Sequence, residues 1–145
     1  MDRVVELEIP ARPEFVGIAR MAIGALAGIR PGLAFERIDD LRIVVSEACT
    51  SAIEGLDESS VLRLRCIDGP KSLEIRIEGP GTVFESALPG SEGERPEPES
   101  DNFRISLIRA LVDDADLKSS PERTELCLVM HREAASDAGE DGLPA

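Results

Sequence analysis

The run Asp39-Asp40-Leu41-Arg42-Ile43-Val44-Val45-Ser46-Glu47-Ala48-Cys49-Thr50-Ser51-Ala52 decides the fold. Within residues 35–54, Ile38, Leu41, Val45, Ala48, Cys49 and Ala52 recur at helical spacing and make one apolar stripe. Gly55 follows as a C-terminal stop. A second line, Asp40, Val44, Glu47, Ser51 and Glu54, recurs at four, three, four and three. Glu47 and Ser51 therefore face the same way, one turn apart. A carboxylate and a hydroxyl so placed can orient a water and contribute to an Mg²⁺ site.

Upstream of this helix, residues 3–9 alternate, with Val5, Leu7 and Ile9 on one side and Glu6 and Glu8 on the other. That is the pattern of a half-buried strand. Pro13 suits a first helical turn, and Phe15, Ile18, Ala19, Ala22, Ile23, Leu26 and Ile29 recur at three and four. The segment 13–29 is thus predicted helical, with Gly17, Gly24 and Gly28 weakening it or permitting close packing.

Downstream, residues 60–67 and 72–78 alternate around the turn Asp68-Gly69-Pro70, which predicts a hairpin. Leu62, Leu64 and Cys66 point inward on one arm, and Leu73, Ile75 and Ile77 on the other. Glu78-Gly79-Pro80-Gly81 follows directly, and glycines there let a backbone approach a ligand. Residues 85–101 hold three prolines, two glycines and six acids against one base, Arg95, and read as a mobile, lid-like loop. Phe103, Ile105, Leu107, Ile108, Leu111 and Val112 predict a short helix. Residues 115–120 are a weak strand and 123–131 a strong one, and the tail from 133 to 145 is expected to be disordered. The order predicts one α+β domain over residues 1–132, a two-layer sandwich of a mixed sheet covered on one face by about three helices.

Composition narrows the function. The chain has 145 residues, a formal net charge of -13, four Phe and neither Trp nor Tyr. The core must be aliphatic. So acidic a surface repels polyanions and excludes DNA or RNA as a direct partner, while a basic protein partner remains open. No apolar run approaches the roughly 20 residues of a bilayer span. The start Met1-Asp2-Arg3-Val4-Val5-Glu6 has no signal-peptide pattern. A cytoplasmic location is expected. Cys49, Cys66 and Cys127 are odd in number, far apart and set in apolar segments, so they read as core residues. His131, the sole histidine, ends a strand and reads as surface.

Taken in order, Glu47 to Ser51, the hairpin, Gly79-Pro80-Gly81, the Pro/Glu-rich loop and the Leu107–Asp113 helix resemble the bacterial anti-sigma regulatory factors. These are serine-protein kinases of partner switching, within the gyrase and histidine-kinase ATPase superfamily. The resemblance covers residues 3–132. It implies the histidine-kinase-like ATPase fold, a sigma factor or anti-anti-sigma factor as partner, a homodimer with a partner surface around helix 13–29, and ATP with Mg²⁺ as cofactors.

The resemblance also assigns roles by position. Glu47 stands at the general base, and Ser51 at an Asn that helps hold Mg²⁺. Gly79, Gly81 and Thr124 match the nucleotide pocket, and Arg104 lies where a glycine-rich loop cradles phosphates. Three positions depart. Ser51 is shorter than Asn, Ile77 replaces the Asp that reads adenine, and Asn102-Phe103-Arg104-Ile105-Ser106 has no glycine. A hydrogen bond to a charged group is worth about 1.5–3 kcal/mol, or about ten- to a hundredfold in affinity. The expected protein keeps the fold and binds a partner, with little or no ATP binding. An active serine-protein kinase is the alternative.

Overall fold

The structure is a computed structural model. It describes residues 2–80 and 101–133, and of residues 101–105 the backbone alone. The elements run β1 (Arg3–Pro10), a 3₁₀ turn (Pro13–Phe15), α1 (Val16–Ala27), α2 (Phe35–Glu54), β2 (Val61–Asp68), β3 (Ser72–Pro80), α3 (Asp101–Leu111), β4 (Asp114–Ser119) and β5 (Arg123–His131). Nearly all of the expected loop 85–101 and of the tail 133–145 lies outside the described residues.

The five strands lie in the order β1-β2-β3-β5-β4. Every neighbouring pair is antiparallel, which corrects the expectation of a mixed sheet. Two helices between β1 and β2 carry the chain out and back, so it re-enters beside β1 in the opposite sense. One helix separates β3 from β4. Those strands do point the same way, but β5 fills the place between them.

Alternation sorts the sheet into two faces. One face packs Leu62, Leu64, Cys66, Leu73, Ile75, Ile77, Leu126, Leu128 and Met130 against the helices. The other carries charge pairs across strands, such as Arg63 with Glu8 at 2.8 Å and Arg123 with Glu78 at 3.3 Å. Val5 departs from the expected burial: it lies on the helix side yet is 45% exposed. Strand β1 is the outermost, and only its Ile9 end is buried.

In α1, Gly17 and Gly24 cost about 1 kcal/mol each in helix propensity. Burial of Val16, Ile23 and Leu26 returns about 1.5–3 kcal/mol each, so packing decides the helix. Gly24 also leaves room for a neighbour: a Cβ there would lie 2.5 Å from Arg42 Nε, and the Arg42 side chain would have to move aside. Gly32 has φ +112°, and a Cβ would stand 2.7 Å from Arg132 Cβ and 2.8 Å from the Glu133 carbonyl. Gly32→Ala should therefore lower stability by about 1–3 kcal/mol in urea unfolding. Gly17→Ala, whose Cβ would meet only the tip of Arg20 at 3.4 Å, should stabilise by up to about 1 kcal/mol.

Candidate functional site

Helix α2 packs against α1, α3 and the sheet, and its faces divide accordingly. Leu41, Val44, Val45, Ala48, Cys49, Ser51, Ala52 and Ile53 are buried, and Glu47 is half-buried. Val44, placed by its spacing on the polar line, belongs to the core instead, with none of its surface exposed. Ser51 is 4% exposed, so the hydroxyl sits within packed structure.

At one end of the sheet, β3 continues two residues beyond its expected end. Gly79 and Pro80 are paired in register with Thr124 and Arg123 of β5. The structure thus brings together two candidates that lie far apart in sequence. Thr124 is fully buried, and its Oγ1 shares a 3.3 Å hydrogen bond with Ser119 Oγ on β4. Gly81 and the side chain of Arg104 lie outside the described residues. An open pocket of about 240 Å³ adjoins this end, lined by Val61, Arg63, Glu78, Gly79, Pro80, Glu122 and Arg123.

Two strand positions earlier stands Ile77, fully buried between Leu64 of β2 and Leu126 of β5. Its neighbour Glu78 points to the opposite face and pairs with Arg123. An adenine amino group needs an acceptor, and an alkyl side chain offers none. Ile77 supplies no such acceptor at this position. Among the described residues, no cluster of three or more His, Cys, Asp or Glu side chains is arranged to hold a metal ion.

The three thiols are held in the protonated form at neutral pH. Burial pushes Cys49 and Cys66 up to about 12. Burial, and then donation to Glu74 Oε2 at 3.4 Å, hold Cys127 at about 11. A thiolate is the reactive form, and none is present in quantity. His131 is exposed, and its backbone N–H donates to Asp113 Oδ2 at 2.6 Å.

The opposite end of the sheet holds a charged cluster. Asp68 is fully buried and accepts from three arginines: Arg132 at 2.6 Å, Arg3 at 2.9 Å and Arg30 at 3.1 Å. Arg132, its side chain 0% exposed, also donates to the carbonyls of Gly69, Ala27, Arg30 and Pro31. Burial raises the Asp68 pKa, but the three guanidiniums outweigh it and hold the carboxyl below its ordinary value. Sequence reasoning missed this cluster. The available signal was phase: Asp68 continues the inward series Leu62, Leu64, Cys66.

The two-layer sandwich carries Glu47 on α2 and, at one end of its sheet, Gly79 paired with the buried Thr124. The profile of the histidine kinase-like ATPase domain matches residues 9–130, and the chain belongs to that family. Among its relatives is the serine-protein kinase RsbW of Oceanobacillus iheyensis, 31% identical over 125 residues, 79% of this chain and 78% of that protein. The RsbW of Bacillus pumilus is 39% identical over 87 residues, 57% of this chain and 53% of its own. A solved structure of the RsbU and RsbW domains of Rv1364c from Mycobacterium tuberculosis superposes with a TM-score of 0.62 at 16% identity. That likeness spans 91% of this chain and 33% of the other, and it supports the fold.

Proposed function

We propose that this protein is an anti-sigma regulatory factor of the partner-switching type. It binds and holds a sigma factor, or that factor's antagonist, and binds ATP weakly or not at all. The observation that carries the second half is Ile77, an alkyl group sealed in the core where an adenine-reading carboxylate is needed. Glu47 is then a retained base with no phosphoryl group to act upon. Ser51, Gly79, Gly81, Thr124 and Arg104 are the remainder of the pocket. The protein acts in the cytoplasm and as a homodimer. With a net charge of -13, it works through protein contacts without touching nucleic acid.

The alternative, an active serine-protein kinase, draws on the RsbW relatives and on Glu47. Thermal unfolding with ATP and Mg²⁺ separates the two. A ligand at 100 times its dissociation constant stabilises by about 2.7 kcal/mol, or roughly 5–10 °C for a domain of this size. The expected shift at 0.5 mM ATP, taken as roughly that concentration, is under about 1 °C. A larger shift that Glu47→Gln or Gly79→Val removes would establish a working pocket. Affinity purification is expected to recover a sigma factor or its antagonist. Recovery of neither would defeat the regulatory reading.

A further inference from the structure

Arg37 stands in the first turn of α2, and its guanidinium reaches four groups. These are the Leu111 carbonyl at 3.2 Å, Asp113 Oδ1 at 2.9 Å, Met130 Sδ at 3.4 Å and Asp40 Oδ2 at 3.7 Å. Leu111 is the last residue of α3, so its carbonyl has no partner within the helix. A cation there also meets the negative end of the helix dipole. The second Asp113 oxygen accepts the His131 backbone N–H, which ties the same point to β5.

Among the described side chains, the buried apolar anchors at this end are Ile108 and Val112. They lie in the last turn of α3 and just past it. Helix α3 has eleven residues, a length of about 16 Å. Turning such a rod by about 10° about one end carries the other end about 3 Å.

The geometry points to Arg37 as a positioning residue: it pins the C-terminal end of α3 and so sets how far the other end of that helix stands from the Glu47–Ser51 face of α2. The role rests on the reading of that face as the site. It adds a control over the site from a residue three turns away on the same helix.

The test uses the full chain with spin labels at Ile43→Cys and Ser106→Cys, both exposed, in a Cys127→Ser background. In Arg37→Ala the label-to-label distance distribution should broaden by at least half. Amide exchange over residues 106–112 should rise tenfold or more while residues 72–79 of β3 hold their protection. Arg37→Lys, which keeps one donor group, should fall between. Arg63→Ala, which breaks an exposed pair with Glu8, should change neither measurement. Unchanged width and exchange in Arg37→Ala would overturn the pin, and so would an equal rise across all strands. Neither readout uses a nucleotide or a partner. Failure here therefore leaves the regulatory reading standing, and failure of the ATP and partner assays leaves the pin standing.

Discussion

Exchanging Arg132 for Met should cost the fold about 3–5 kcal/mol, the loss expected when one partner of a buried ion pair is removed. The Met side chain fills much of the space but donates nothing. Asp68 loses its 2.6 Å partner, and the carbonyls of Gly69, Ala27, Arg30 and Pro31 lose a shared donor. Arg3 and Arg30 still reach Asp68, which keeps the loss from growing larger. Small domains are stable by about 5–15 kcal/mol, so the variant should fold with a much lower urea midpoint. A loss under 1 kcal/mol would show the cluster to be dispensable.

Acid reports on the same cluster. The folded-state pKa of Asp68 lies below its ordinary value of 3.8. Its contribution is therefore complete above that value and disappears as the pH falls below it, through the folded-state pKa. Removing Arg132 withdraws one of the pulls that lower the pKa. The acid transition of Arg132→Met should then begin at higher pH than that of the parent.

Ile77→Asp is the second large effect, and it bears on function. The substitution puts into β3 the carboxylate that the resemblance assigns to adenine. It also places a carboxyl between Leu64 and Leu126, where Ile77 has no exposed surface. Without a ligand, the lost packing and the buried polar group should cost about 3–5 kcal/mol. Burial raises the pKa of such a group, so the penalty is smallest below the ordinary carboxylate value and grows as the pH rises toward the folded-state pKa. Urea midpoints at pH 5 and pH 8 should differ accordingly, with the variant weaker at pH 8. ATP with Mg²⁺ should not restore the midpoint. If it did, the pocket would be one substitution from working, and Ile77 alone would account for the proposed loss of nucleotide binding.

Much of the fold was legible because local and tertiary signals agree. Helix α2 runs over residues 35–54 as its stripe predicts, and Gly55 ends it. The hairpin from Val61 to Pro80 follows its alternation, and Ile77 takes the core position its phase requires. Legibility failed where a residue's fate depends on what covers it. Val5 has the right phase, but the helices do not reach the outermost strand. Val44 has the spacing of the polar line, yet the packing of α2 encloses it. Alternation predicts strands but not their neighbours, and the antiparallel order β1-β2-β3-β5-β4 is a long-range property. Glu47 and Ser51 do sit one turn apart, while the pairing of Gly79 with Thr124 is visible only once β3 and β5 are side by side. Arg132 follows β5 directly, and nothing in its neighbours announces four carbonyls and a carboxylate from residues 27–31 and 68–69.

The arginine cluster sits at one end of the sheet, and Gly79 and Thr124 sit at the other. This separation governs mutational tolerance. Substitutions at the glycine end leave the Asp68–Arg132 pair untouched. A library that randomises Glu47, Gly79 and Thr124 over an intact Asp68–Arg132 pair starts from a scaffold whose main polar fastening is already secured.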